Sequence, residues 1–341
     1  MKTFCGVLLC YQLVIASVLA LDQVLLVEEW LQWKNQHKKG YRTKGEERKR
    51  HSVWLANREF VSSHNSEWEE HGYSLSLNQF ADLTDEEYTG LLVGHSYPDY
   101  EDNPLVTKFR SGRDLTSHDL PNSIDWRTKG VVTSIKNQNS RQCNSSYAFA
   151  AVGSVEGAWA LTRGSLTRLS EQNIIDCSVP YGNMGCRGGS VFSSYLYMVN
   201  SGVSTYSCYP YRGRQSYCSY TSNCTCAKMS GMVRIEFGNE TDLQAALATV
   251  GPVAVTIDGS SKAFRFYSQG VFDWSGCSST KLNHPLLLIG YGYTYVESVY
   301  TEYWLLKNSF GTNWGEDGYF RLVRNQFNQC GIASDALFPT L

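Results

Sequence analysis

The stretch QNSRQCNSSYAFAAVGSVEGAWAL, Gln138 to Leu161, decides how the rest of the chain is read. From Ser146 onward it predicts a helix: Ala148, Ala150, Ala151, Ala158 and Ala160 are strong helix formers, and Tyr147, Phe149, Val152, Val155 and Trp159 supply an apolar side. A polar loop carrying Gln138 and Cys143 precedes it. A side chain at such a helix start lies among N–H groups without intrahelical acceptors, at the positive end of the helix dipole, so negative charge developing there is stabilised. A nucleophile would be placed there, and Ser146 occupies the position. A serine at a helix start is also an ordinary cap.

Downstream of this helix, SVPYGNMGCRGG and YSCYPYRGRQSYC read as loops that depend on cross-links. From about Gly231 the pattern changes to short apolar or alternating runs, GMVRIEF, GPVAVTI, HPLLLIGYGY, EYWLLKN and GYFRLVR, bounded by Gly, Asn and Asp, which predict strands of an antiparallel sheet or barrel. A helical half followed by a β half is an α+β architecture with a site in the cleft between. His284 lies in one of these strands and Asn308 follows another. Taken singly, a histidine in an apolar run is more often a packed core residue, and an asparagine after a strand is an ordinary turn residue.

Upstream, residues 26 to about 70 are dense in charge with helical periodicity, and residues 97 to 118 turn polar and irregular, as suits a cleavable linker. Residues 1 to 20 have one basic residue, an apolar run and a small-residue end, the pattern of a secretory signal peptide and too short for a membrane span. The chain of 341 residues accommodates two ordinary domains or one plus a processing region. Lys+Arg 30 against Asp+Glu 32 gives a net charge of −2, so no global attraction to nucleic acid or to an anionic membrane is expected. No cofactor and no metal are expected. Eleven cysteines fit an oxidising compartment; Cys5 and Cys10 fall in the signal, and the nine left are odd in number, so at least one is free or joins another molecule.

The segments DWRTKGVVT (125–133), CNSSYAF (143–149), LSEQNIIDC (169–177), GCRGG (185–189), LNHPLLLIGYGY (282–293), YWLLKNSFGTNWGEDGY (303–319) and CGIASDALFPTL (330–341) resemble the papain family, cathepsin L branch. In that family a cysteine precedes the aromatic-Ala-Phe; here Ser146 does. That serine, with Tyr147 for the usual tryptophan and the run LSEQNIIDCSVPYGN, is similar to the silicateins of siliceous spicules. The resemblance implies a papain-like two-domain fold, with a helical left half, a β-barrel-like right half and the site between them, preceded by a helical propeptide. It divides the chain into a signal peptide (1–20), an inhibitory propeptide and linker (21–118) and a mature domain (119–341). Glu46, Arg50, Trp54, Asn57, Val61 and Asn65 match the family's propeptide helix pattern, and Asn78, Phe80 and Asp82 its second motif. The implied disulfides are Cys143 with Cys186, Cys177 with Cys218 and Cys277 with Cys330. Cys208, Cys224 and Cys226 remain, and a pair among them or a bridge to another molecule are both open.

The resemblance also implies the site. Ser146 would be the nucleophile, His284 the general base, Asn308 the residue orienting the histidine, and Gln138 an oxyanion donor beside the Ser146 N–H. Four residues, Asn139 to Gln142, separate Gln138 from Cys143 where the family has two, so either Gln138 keeps its place or Gln142 lies near it. Trp314 would sit by the Asn–His pair, with Phe310 replacing a second tryptophan. Asp335 would floor the main specificity pocket beside Gly188 and Gly189, favouring cationic or hydroxylated ligands.

Serine changes the chemistry. A thiol's reference pKa is about 8.5 and an alcohol lies near water's 15.7, so a preformed anion–imidazolium pair costs about 10 kcal/mol more with oxygen. The resting pair is expected to be neutral, with Ser146 hydrogen-bonded to His284, and peptide hydrolysis to be weak because Asn308 brings no charge. A silicon alkoxide is a less demanding substrate. The resemblance therefore implies a secreted hydrolase that forms silica and associates with itself into filaments, with silicon alkoxide or silicic acid as substrate and a silica surface and its own propeptide as partners. A catalytically weak cathepsin L homologue with a scaffold role, and a serine-type peptidase on the same fold, stay open. Asn144, Asn223 and Asn239 head formal glycosylation sequons.

Overall fold

A computed structural model describes residues 23–92, 103–111, 120–138, 143–296 and 298–341. The expected signal peptide, the maturation point near Asp119 and the Asn139–Gln142 insertion lie outside the described residues. In chain order the elements are α1 (23–36), α2 (Lys44–Ser66), α3 (Trp68–His71), β1 (Tyr73–Leu75), α4 (Asp85–Thr89), β2 (Val106–Lys108), β3 (Ile124–Asp125), α5 (Ser146–Arg163), α6 (Glu171–Cys177) and α7 (Val191–Ser201). There follow β4 (Val203–Ser204), β5 (Thr225–Ala227), β6 (Gly231–Arg234), α8 (Glu240–Val250), β7 (Val253–Ile257), α9 (Lys262–Phe266), β8 (Tyr267–Gly270), β9 (His284–Val296), β10 (Val299–Lys307), β11 (Tyr319–Val323) and β12 (Ala336–Thr340). The architecture is α+β: a helical half around α5, α6 and α7, a β half, and a helical N-terminal region in front.

The main sheet runs β11-β10-β9-β7-β12-β6-β2, with β3 on β9. Its central strand β9 is buried on both faces from His284 to Gly292, and alternation sorts its side chains. Leu286 and Leu288 join the large aromatic core of the β half, while Leu287 and Ile289 form a separate cluster with Leu305. Helix α5 packs against this strand because its small residues permit close approach. A Cβ at Gly153 would come within 2.8 Å of Leu287, and one at Gly157 within 2.8 Å of Pro252. The other side of α5 belongs to the core of the helical half, with Ile174, Ile175, Tyr195 and Met198.

Four disulfides join described cysteines. Cys143–Cys186, Cys177–Cys218 and Cys208–Cys224 staple the helical half, Cys277–Cys330 the β half, and Cys226 is free. The Cys208–Cys224 bridge settles which of the three remaining thiols pair within the chain.

The N-terminal region carries an internal polar scaffold and packs against the β half. In α2, Trp54, Asn57 and Val61 face inward. Asn57 Nδ2 donates to the carbonyls of Ala81 (2.8 Å) and Leu83 (3.2 Å), Asn65 clamps Leu75 through both its N–H and C=O, and Arg50 pairs with Glu87 at 2.5 Å. A capping box, Thr84 with Glu87, starts α4. Strand β1 then pairs antiparallel with β8, and β2 pairs parallel with β6. The segment expected to be irregular linker is therefore ordered in part. Three residues join the sheet, the Phe109 ring meets Phe338 edge-on at 5.9 Å, and Ser111 donates to Asp242 at 2.6 Å.

Candidate active site

Ser146 is the first residue of α5 and is 2 % exposed. Ser145 takes the capping position but its side chain makes no cap hydrogen bond, so Ser146 is not serving as the cap. The Ser145 carbonyl accepts from the amides of Ala148 (2.8 Å) and Phe149 (3.3 Å). The Ser146 and Tyr147 amides, one residue further out, stand at the electropositive end of the helix. Tyr147, in the place of the family's tryptophan, donates its phenol to the Gly185 carbonyl at 2.9 Å and so ties the helix start to the Gly185–Gly189 loop. Glycine is required at 189 because a Cβ there would collide with the Asn183 side chain.

His284 opens β9, is 1 % exposed, and its Nε2 lies 2.9 Å from Asn308 Oδ1. The Ser309 N–H donates to the same oxygen at 2.7 Å, so that atom is an acceptor and His284 must carry its proton on Nε2. Nδ1 is thereby the basic nitrogen. Burial pushes the imidazole down to about 4, against the pull of the Asn308 hydrogen bond, so it is neutral at ordinary pH. Phe310 lies over the ring at 4.7 Å and Phe264 flanks it at 5.5 Å. Trp314 is fully buried beside Phe310 and Phe264, with its Nε1 donating to the Arg265 carbonyl at 3.1 Å.

Gln138 joins this group through Ser309. The Gln138 N–H donates to the Ser309 carbonyl (2.8 Å) and the Ser309 hydroxyl donates to Gln138 Oε1 (2.5 Å), which leaves the Gln138 Nε2 hydrogens as the donors for a ligand. Tyr211 donates to the Gln138 carbonyl at 2.8 Å and stands 3.2 Å from Ser145 Oγ. The structure thus brings His284, Asn308 and Gln138 into one hydrogen-bonded chain that Tyr211 carries to the residue before Ser146. Among the described residues, however, the Ser146 hydroxyl makes no hydrogen bond to His284, contrary to the expected resting contact. Hydrogen bonds between catalytic groups are often long until substrate enters.

Asp335 lies outside this hydrogen-bonded chain. It is buried, its carboxylate accepts from Thr256 Oγ1 at 2.6 Å and its carbonyl from the Thr256 N–H at 3.0 Å. Gly188 and Gly189 belong to the loop stapled by Cys143–Cys186. Ser309 and Tyr211 went unnamed in the sequence reading. Adjacency to Asn308 within KNSFG could have flagged Ser309, whereas nothing local marks Tyr211.

Behind the site, Lys136 is paired with both Glu156 (2.7 Å) and Glu171, and Thr133 donates to Glu156 at 2.7 Å. Lys307, next to Asn308, donates to the Thr133 carbonyl at 2.7 Å, and burial with Lys136 nearby pushes its ammonium down to about 8. This buried block ties the loop before Gln138 to α5, α6 and β10.

The N-terminal region covers the groove. Phe80 packs edge-on against Phe310 at 5.0 Å, Gln79 Nε2 donates to the Phe310 carbonyl (2.9 Å), Tyr88 donates to the Gly259 carbonyl (3.2 Å), and Asn144 Nδ2 donates to the Gly90 carbonyl (3.0 Å). Asn144 is thereby occupied, Asn239 caps α8, and Asn223 is exposed.

Comparison with known proteins accounts for both parts. Residues 30–88 match the cathepsin propeptide inhibitor domain (I29), and residues 120–340 match the papain family cysteine protease model. The chain is 45% identical over 325 residues to the silicatein of Petrosia ficiformis, covering 92% of this chain and 94% of that one. It is 38% identical over 321 residues to procathepsin L of Mus musculus, covering 92% of each. Among solved structures, the digestive procathepsin L 3 of Tenebrio molitor larval midgut superposes with a TM-score of 0.84 at 40% identity, covering 93% of this chain and 99% of that chain. The chain belongs to the papain family of cysteine proteases and carries that family's cathepsin propeptide inhibitor domain across its groove.

Proposed function

We propose that the chain is the secreted precursor of a Ser-His-Asn hydrolase that cleaves silicon alkoxides and promotes silica condensation. The observation that carries this reading is a hydroxyl, Ser146, at the helix start of a papain-family groove whose histidine is held neutral with Nδ1 as its basic nitrogen. The relatedness to a silicatein supports the choice of substrate. Residues 1–20 would direct secretion, residues 21–118 would leave on maturation, and residues 119–341 would form the working enzyme.

A neutral imidazole suits an oxygen nucleophile. Ser146 Oγ forms its bond to silicon as its proton passes to His284 Nδ1, and His284 returns that proton to the departing alkoxide, which leaves as an alcohol. Water then cleaves the Ser146–silicon ester, His284 again moving the proton, to give a silanol that condenses. Asn308 holds the ring, and Gln138 with the Ser146 N–H faces the developing charge. Asp335, Gly188, Gly189 and Trp314 would shape the groove for small hydroxylated substrates. Amide hydrolysis would be slow, since nothing stabilises the imidazolium by charge.

A scaffold that acts without this chemistry is the second reading, favoured by the unmade Ser146–His284 hydrogen bond. Processed protein bearing Ser146→Ala or His284→Ala, assayed side by side on silicon alkoxide and on a peptide amide, separates the two. A loss of alkoxide hydrolysis by 100-fold or more in both variants is expected, since each removes a proton-transfer partner. Silica formation unchanged in both would leave only the scaffold.

A further inference from the structure

Arg265 belongs to the papain-like domain, yet its guanidinium finds every described polar partner in the propeptide domain. Nη1 donates to the carbonyls of Leu83 (3.3 Å) and Thr84 (3.2 Å), and Nη2 donates to Asn57 Oδ1 (3.3 Å) and Asp85 Oδ1 (2.7 Å). Nε is buried with no partner. The papain-like domain contributes an aromatic face, Phe266 at 4.5 Å, while Tyr88 of the propeptide lies 5.2 Å away. The Arg265 side chain is 0% exposed, whereas Asp85 is 67% exposed. A guanidinium is costly to bury unless it is paired, and here the propeptide supplies the pairing.

The same element reaches the catalytic group. The Phe264 ring flanks His284, and the Arg265 carbonyl accepts from Trp314 Nε1 and from Asn78 Nδ2 (2.7 Å). One turn earlier Lys262 places its ammonium over Phe60 of the propeptide at 4.9 Å, with Asp85 and Arg265 as its charged neighbours. Of these two cations on α9, Arg265 is thus closed over by the propeptide and Lys262 half-covered by it.

We infer that, once the propeptide leaves, Arg265 and Lys262 form an oxyanion subsite that takes the ionised silanol groups of oligomeric silicate, a subsite that the Asp85 carboxylate and the Leu83 and Thr84 carbonyls fill in the precursor. This rests on the silica reading and extends it from the bond-making centre to the growing product. A guanidinium fork matches two acceptor oxygens on one centre, which a silanolate-bearing oligomer presents and a neutral alkoxide does not. Propeptide and oligosilicate would then exclude each other, each weakening the other's binding.

The test uses the full chain and the same chain after proteolytic removal of its propeptide, both carrying Ser146→Ala so that no turnover intervenes. Aged sodium silicate at neutral pH is the probe, inorganic phosphate the comparison, and calorimetry the readout. Saturable binding to the processed form, at least ten-fold tighter than to the precursor, is expected. In processed protein Arg265→Gln should weaken it about ten-fold or more, Arg265→Lys less, and Lys262→Gln a few-fold. In the precursor Asp85→Asn should increase silicate binding, which keeps the test decisive if Arg265→Gln does not fold. Equal binding by processed and precursor forms, phosphate binding as tight as silicate, or Arg265→Gln and Lys262→Gln indistinguishable from their parent would overturn the subsite. Alkoxide hydrolysis by Ser146-bearing protein is scored separately: its persistence alongside unchanged silicate binding in Arg265→Gln sinks the subsite alone, and its independence of Ser146 sinks the hydrolase.

Discussion

His284 owes its neutrality to what surrounds it. Its ring is buried and its folded-state value of about 4 lies below the ordinary 6.5, so the unfolded chain takes up the proton first. Stability is therefore lost as pH falls from about 6.5 to 4, by roughly 3 kcal/mol in all at about 1.4 kcal/mol per unit. Denaturant titrations of the precursor across that range are expected to show this slope, and His284→Gln should flatten it. Asn308 is the second lever. Replacing it with aspartate puts a charge against Nε2, and Asn308→Asp should raise the His284 pKa by about 1–3 units in an NMR titration, moving the acid limb of the activity profile upward. The pairing of His284 with Asn308 was legible because each sits in a short motif with a distinctive neighbourhood. The proton position on His284 was not, since it follows from the Ser309 amide, a contact no spacing reveals.

At the scale of elements, α5 and β9 are held in register by small residues and by the charges behind them. Lys136 links Glu156 on α5 with Glu171 on α6 from a buried position. Lys136→Met leaves two buried carboxylates without their cation and is expected to cost about 3–5 kcal/mol in denaturant unfolding; a triple variant with Glu156→Gln and Glu171→Gln should recover part of that loss. The strands from Gly231 onward were legible from their alternation, and α5 from its alanines. Strand β2 was not, because three residues of Val-Thr-Lys carry no periodicity and their partner β6 is more than a hundred residues away in the chain. The Cys208–Cys224 bridge was likewise beyond spacing arguments, which allow any pair of three.

Across the whole molecule the propeptide and the β half share one hydrophobic core. Trp30, Trp33, Trp54, Phe80 and Tyr88 join the same cluster as Phe264, Phe310, Trp314 and Phe320. Arg265 plugs that seam, a role invisible in sequence because nothing local says which surface will cover it. The propeptide motif residues Asn57 and Asn78 could be read as a pattern, but their partners, Arg265 among them, appear only once the domains meet. The two strands donated across the seam carry a separate consequence. Were residues 21–118 to leave on maturation, as proposed, Tyr267–Gly270 and Gly231–Arg234 would each lose a neighbour, and their freed amides and carbonyls would become open rims that a second molecule can zip onto. Light scattering should rise on processing, and Ser268→Lys, which puts a charge on one rim, should lower it. The cut that uncovers the groove would in that way also make the protein adhesive toward its own kind.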